Sequence, residues 1–358
     1  MNWNMFRKVL LLIVGSVIGW GCLPSFSQRI SGGAFNRKDY IDDFPEIVST
    51  RLNVAQQYFG FNLKSQKQDR KEAIYRPNVQ GSYGFELYYR KLGVGLSLGF
   101  PTSPREIALY GKTRFWDFQI NMYGEKFNYD FNLQWYKGFY QSNPEDFDKN
   151  WNVSSGYPQL PDLRTFNIGM NAYYLFNHDK FSYQAAFVQT ERQIKSAGSF
   201  LLMGSTFHTS IKSDVDLLPS SNPLEKNQGT NFRRGYFNIL SVAPGYAYTF
   251  VINENFYVSP SLLWGLSLRQ QAYVIDGERS FGVGIGQKIN FRLAAGYYGK
   301  QFFAGFNFIW DNNRMGMENV RLSTSAVNIK LFVGYRFNRI FGKSVRIDKL
   351  DAILVKPE

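Results

Sequence analysis

Side chains suited to covalent or acid–base chemistry are sparse in this chain of 358 residues, which carries two histidines and one cysteine. His178 falls in the turn Asn177-His178-Asp179-Lys180, and His208 shares a strand face with Thr206 and Ser210, opposite Leu201, Met203 and Phe207. A serine-type hydrolase needs a hydroxyl, an imidazole and an orienting partner within hydrogen-bond reach. His208 with Ser210 is the one pair from which such a site could start. Any strand places residues two apart on one face, so the plainer expectation is a histidine that hydrogen-bonds in the interior. There is no phosphate loop, HExxH, EF-hand loop or paired-cysteine motif. No catalytic residue, metal or cofactor is therefore expected.

The charged residues say more. Glu86, Arg90, Asp117, Asp130, Arg269, Arg292, Lys330 and Arg336 each lie on the polar side of a segment that alternates apolar with polar. Charges of both signs on one set of faces favour an interior crossed by salt bridges and hydrogen bonds over a wide aqueous pore. The functional alternative is a mixed-charge constriction that selects small solutes.

The elements that must carry these residues are strands. Over 113–140, TRFWDFQINMYGEKFNYDFNLQWYKGFY, the apolar face is Trp116, Phe118, Ile120 and Met122, then Phe127, Tyr129, Phe131, Leu133 and Trp135 after the turn at 123–126. Amides and carboxylates fill the other face. Arms of about ten residues with an aromatic apolar face suit strands that cross a lipid bilayer. The composition agrees: aromatics are 18% and there are 32 glycines, while charged residues are only 19%. After residue 30 no window approaches the roughly 18 apolar residues that a spanning helix needs. The fold expected is all-β: one antiparallel transmembrane β-barrel with long outer loops and short periplasmic turns.

Thirteen strands are legible, including 47–63, 75–90, 92–100, 166–176, 181–192, 199–211, 289–298, 301–310 and 327–337. That is the wrong parity for a chain whose termini share one side. The turn assignments conflict between Phe181 and Asn231. Adding a strand near 215–218 gives fourteen, the count favoured here; merging weak neighbours gives twelve. Strand 327–337 is expected to close on 47–63, so that no edge meets lipid unpaired. The pairs Tyr88-Tyr89, Trp135-Tyr136, Tyr173-Tyr174 and Tyr297-Tyr298 are expected at interfacial depth.

Residues 1–27 read as a signal peptide: Arg7 and Lys8, an apolar run from Val9 to Gly19, and a small-residue site at Ser25-Phe26-Ser27. Lipidation at Cys22 is the rival, with Gly19 and Trp20 poorly suited to a lipobox. A periplasmic arm is expected over 28–46, the barrel over 47–337 and a periplasmic tail over 338–358. The formal net charge of +13 falls by two with the signal. In an exported chain this points away from nucleic acid and toward outer-membrane lipids and lipopolysaccharide, with the outer-membrane assembly machinery as a further partner.

The strings YIDDFP (40–45), YRPN (75–78), WYKGFY (135–140), YYLFNHDKFSYQAAF (173–187), KSAGSFLL (195–202), PGYAYTFV (244–251) and FRLAAGYY (291–298) together resemble the Bacteroidota proteins grouped as domain of unknown function 4421. The resemblance spans nearly the whole mature chain. It implies a diderm bacterium and an outer-membrane or envelope location, and it brings no assigned activity and no catalytic residue. The leading functional expectation is a non-enzymatic outer-membrane barrel in passage of a solute or lipid, or in envelope architecture. A barrel enzyme acting on lipids and a secreted soluble all-β binding protein are the alternatives.

Overall fold

The computed structural model describes residues 37–337 apart from 45–46, 66–71, 90–91, 219–231 and 318–319. The expected signal peptide with Cys22, the tail 338–358 and Arg90 lie outside the described residues. The elements are β1 (Ile41–Asp43), β2 (Val48–Ser65), β3 (Ala73–Arg76), β4 (Ser82–Tyr89), β5 (Leu92–Gly99), a short helix α1 (Pro104–Tyr110), β6 (Arg114–Tyr123), β7 (Phe127–Gln141) and β8 (Gln159–Leu175). They continue with β9 (Glu191–Gln193), β10 (Ala197–Lys212), β11 (Phe232–Ile252), β12 (Phe256–Ile275), β13 (Glu278–Tyr298), β14 (Phe302–Met317) and β15 (Val320–Phe337).

Alternation along these strands produces an antiparallel sheet that closes on itself. Its ring of ten runs β2-β3-β7-β8-β10-β11-β12-β13-β14-β15 and back to β2. The closing ladder pairs β15 with β2 from Val320↔Ser65 to Phe337↔Val48. Three more strands lie outside the ring: β4 and β5 hang from β2, and β6 hangs from β7. The expected strand 75–90 is thus broken in two. Its first part, β3, bridges β2 to β7, and its second part, β4, turns to pair with β2 and β5.

The count of fourteen is corrected by the segment between β8 and β10. Phe181 to Val188 is buried at every position, on both parities. It forms a single π-helical turn, Gln184–Val188, inside the barrel. The strand expected over 181–192 is not part of the wall, and only its last two residues are extended, in β9. Phe181, Tyr183 and Phe187 imitate a strand face, but the residues between them carry no charge and are buried as well. Residues 215–218 are not a strand either: Leu217 and Leu218 fold into the opposite mouth, where the Leu217 carbonyl accepts from the Tyr75 hydroxyl. With 181–192 removed from the wall, nothing added at 215–218 and 75–90 split in two, the sheet has thirteen strands, of which an even ten form the closed ring.

Several strands run for 16 to 21 residues, about twice what a bilayer requires. The hydrophobic phase reverses part of the way along them. On β2, Leu52 and Val54 point outward, while further on the apolar Phe59, Phe61 and Leu63 are buried inside. On β10, Phe200 and Leu202 face out, whereas Phe207 and Ile211 turn into the interior and Thr206, His208 and Ser210 take the outer face. The half of the barrel nearest the long loops therefore has a soluble-type, apolar core, including Phe61, Tyr75, Phe139, Leu163, Ile239 and Leu322. The half with the short turns has an apolar belt outside. There β12 leaves Leu262, Trp264, Leu266 and Leu268 exposed, and β15 leaves Leu331 and Val333 exposed.

The aromatic doublets split between the two faces. Trp135, Tyr174 and Tyr297 lie on the outer face, but Tyr136, Tyr173 and Tyr298 are wholly buried in the interior. At the β12–β13 hairpin, Asp276 and Gly277 take φ of 51° and 85°, the two positive dihedrals of a type I′ turn. Placing arginine on the outer belt, as in Phe118→Arg or Leu331→Arg, should cost about 2–4 kcal/mol in urea unfolding from lipid vesicles. Asn121→Arg on the inner face of β6 should cost less. Equal costs would mean that the two faces are wrongly assigned.

Candidate functional site

The interior of the short-turn half is built around the π-helical turn. Such a turn points its carbonyls outward, and in a lumen sealed from water each one needs a donor. The wall supplies a donor for each of five in succession. Ala185 O accepts from Tyr298 Oη at 2.9 Å, Ala186 O from Tyr257 Oη at 2.7 Å and Phe187 O from Asn307 Nδ2 at 3.0 Å. Arg51 Nη1 reaches Phe187 O at 3.1 Å and Val188 O at 3.4 Å, and Arg336 Nη2 reaches Gln189 O at 2.7 Å. Gln189 ends the turn in the left-handed region, φ 57°, and its amide donates to Tyr257 Oη at 2.8 Å.

The plug continues into β9, which pairs with β1 of the arm from Ile41↔Gln193 to Asp43↔Glu191. Arg37 donates to both Glu191 oxygens at 2.9 Å. The described part of the segment expected as an arm over 28–46 thus supplies β1, the strand that pairs with β9 of the plug. His178 stays in the turn that opens this segment, 3.2 Å from Asp179. Partial burial draws its pKa below the usual imidazole value.

Charged side chains form two further groups. In the first, Glu86 is shared by Arg51 and by Lys330, whose Nζ lies at 2.6 Å, and Tyr88 also bonds Glu86 at 3.0 Å. In the second, Arg292 bonds Asp130 and Tyr173 and donates from Nε to Asn290 at 2.9 Å. Beside it Lys288 pairs with Asp311, which also accepts from Asn290 at 2.9 Å and Asn171 at 3.2 Å. Asp117 accepts from Tyr136 at 2.5 Å and Gln134 at 2.9 Å. Among the described residues no carboxylate pairs with Arg269 or Arg336; backbone carbonyls hold them, Gly316 O at 2.6 Å for the first and Gly299 O at 2.6 Å for the second. A cavity of about 30 Å³ lies among Asp130, Asn171, Asn290, Arg292 and the β6 side chains Gln119 and Asn121.

The structure thus turns Glu86, Asp117, Asp130, Arg269, Arg292, Lys330 and Arg336 inward. Arg51, Lys288 and Asp311 were missed. Arg51 alternates with Leu52 and was legible; Lys288 and Asp311 lie one residue beyond the segments expected at 289–298 and 301–310. His208 is not interior. It lies on the outer face above the belt, bonded through Nδ1 to Asn238 Oδ1 at 2.7 Å, and Asn238 donates on to Gln270 at 3.2 Å. Its bonded partner is Asn238, not Ser210. The phase reversal explains the error, because in this half the polar face is the outside. Among the described residues no group of three or more His, Cys, Asp or Glu could hold a metal ion.

The family described as Domain of unknown function (DUF4421) matches residues 37–337. Solved structures with a similar fold include the outer membrane protease OmpT from Escherichia coli, at 7% identity and TM-score 0.35, covering 82% of this chain and 97% of that one. The P. putida toluene transporter TodX has 10% identity and TM-score 0.26, covering 83% and 91%. Ail, the attachment invasion locus protein of Yersinia pestis, has 11% identity and TM-score 0.21, covering 82% and 99%. At these identities the likeness is one of fold alone. No curated protein matches the chain.

The buried pairs make a definite prediction. Arg292→Met leaves the Asp130 carboxylate in the interior without its cation, and should cost about 3–5 kcal/mol. Arg292→Met combined with Asp130→Leu should recover most of that loss in the same urea titration. A double variant no better than the single one would show that the pair is not a coupled unit.

Proposed function

We infer function from the premise that this chain belongs to the DUF4421 family: it is proposed to be an integral outer-membrane barrel, non-enzymatic, that handles amphipathic or lipid molecules at its wall or serves envelope architecture. One observation carries the reading. The plug is bonded at five consecutive carbonyls to side chains from β2, β12, β13, β14 and β15. A segment tied to that much of the wall does not behave as a flap over an open diffusion pore.

The other features support the same reading. The apolar belt suits insertion in a bilayer, and the short turns with the arm at one end suit a periplasmic side. The loop-side mouth is filled by its own apolar core, into which Leu217 and Leu218 pack. Enzymatic action on lipids would have to begin at His208 and Ser210, and His208 is bonded into a surface amide chain instead.

Conductance tests the reading. The protein in planar bilayers should show no sustained ohmic channel. The double variant Arg51→Ala/Arg336→Ala, verified as folded by a heat-modifiable gel shift, should show intermittent openings as the plug loosens. A steady large conductance from the unaltered protein would overturn the proposal.

A further inference from the structure

The wall has a seam. Among the described residues β5 pairs only with β4, and β6 only with β7. The two free edges face each other, meeting where the Phe115 ring lies against Gly99, and no ladder joins them. Both edges sit within the apolar belt: Val94, Leu96 and Leu98 of β5 are 69%, 77% and 62% exposed, and Trp116 and Phe118 of β6 are 65% and 60% exposed.

Unpaired backbone N–H and C=O groups in hydrocarbon cost several kcal/mol each, and lipid tails cannot satisfy them. The edges need an occupant with donors or acceptors of its own. The inner side of the seam provides room for one. The inward positions of β5 are Gly93, Gly95, Ser97 and Gly99, so this strand contributes almost no side chain to the interior. Behind β6 lie the amides of Gln119 and Asn121, with Asn328 donating to Gln119 at 2.8 Å. Deeper in the same cavity Arg292 Nη1 and Asn171 Oδ1 are buried without a hydrogen-bond partner.

Apolar flanks outside, bare backbone in the gap and amides with a guanidinium within are the complement of an amphipathic molecule entering from the side. We propose that the β5–β6 seam is a lateral port for a glycerophospholipid of the surrounding bilayer. Its acyl chain lies along Leu96 and Trp116, and its ester and phosphate oxygens meet the strand-edge N–H groups and the amides of Gln119 and Asn121. This deepens the proposed function and rests on the chain being a membrane barrel.

The loop end of the seam is fastened by the segment that holds α1. Asn78 Nδ2 donates to Gly111 O at 2.7 Å and Glu106 O at 3.3 Å, Thr113 Oγ1 to Gly138 O at 2.7 Å, and Gln159 Nε2 to Ala108 O at 2.9 Å. Gly138, at φ +91°, admits the Lys112 carbonyl where any side chain would collide. This strap sets how far the two edges part.

Photo-crosslinking decides the matter. The full chain is reconstituted in phosphatidylcholine vesicles doped, in separate samples, with phosphatidylcholine that carries a diazirine in its headgroup or on one acyl chain, and adducts are mapped by mass spectrometry. The port predicts headgroup adducts on the inward Ser97, Gln119 and Asn121, and acyl-chain adducts on outward residues all round the belt. Asn78→Ala, which loosens the strap, should raise the inward adducts severalfold and leave the outward ones unchanged. Amide hydrogen exchange in the same vesicles should be faster at the seam-facing amides of β5 and β6, which no ladder holds, than at the amides of β12 and β13, which are paired on both sides. Adducts on outward residues alone, or seam-facing β5 and β6 amides as protected as those of β12, would overturn the port and leave the membrane barrel standing. Absence of adducts everywhere would overturn both.

Discussion

Hydrogen bonding of five successive carbonyls, Ala185 to Gln189, is the constraint on which the rest of the short-turn interior depends. Helical turns usually direct such carbonyls into their own next turn or into water. Here the turn ends at Gln189 and the segment is buried, so the wall must present donors at fixed points. That requirement explains why two arginines, an asparagine and two tyrosines occupy inward positions on five strands. It also explains why Arg51 and Arg336 sit against rings, with Arg51 over Tyr88 and Phe332 and Arg336 over Phe303. A guanidinium whose faces are covered and whose edges are hydrogen-bonded tolerates burial better than an ammonium would.

Much of this was legible from alternation, and the exceptions have a common cause. The hairpin β6–β7, the closure of the last strand on the first and the inward charges all follow from which residues share a face. Period two says that two faces differ; it does not say which one meets lipid. Along β10 the apolar residues move from the outer face at Phe200 and Leu202 to the inner face at Phe207 and Ile211. His208 was assigned to the wrong side for this reason. Two segments were also ended too soon, at Ile289 and Trp310, although β13 and β14 continue beyond them, which left Lys288 and Asp311 out.

The plug was illegible for a different reason. Phe181, Tyr183 and Phe187 have a strand's spacing, and only burial of the residues between them distinguishes a buried turn from a wall strand. A sequence shows that Ser182, Gln184 and Ala186 are uncharged, which fits a lumen face and an interior plug alike. The parity conflict was the one sign of trouble, and it lay over the correct stretch.

The closing ladder has a consequence for how such a chain reaches its native state. Strand β2 pairs with β15 along its whole length, from Val48↔Phe337 to Ser65↔Val320, and is also the strand that carries Arg51 to the plug. The plug lies between β8 and β10 in sequence, so it exists long before β15 does, but two of its anchors arrive only with β2 seated and Arg336 in place. Sealing the cylinder and immobilising its contents are therefore one kinetic event. Pairing across nearly the full chain is slow, because the loop-closure entropy precedes the contacts that offset it. Until that event the edges of β2 and β15 and the carbonyls of Val188 and Gln189 are unsatisfied together, and a chain arrested at β14 has neither a closed wall nor a fully anchored interior.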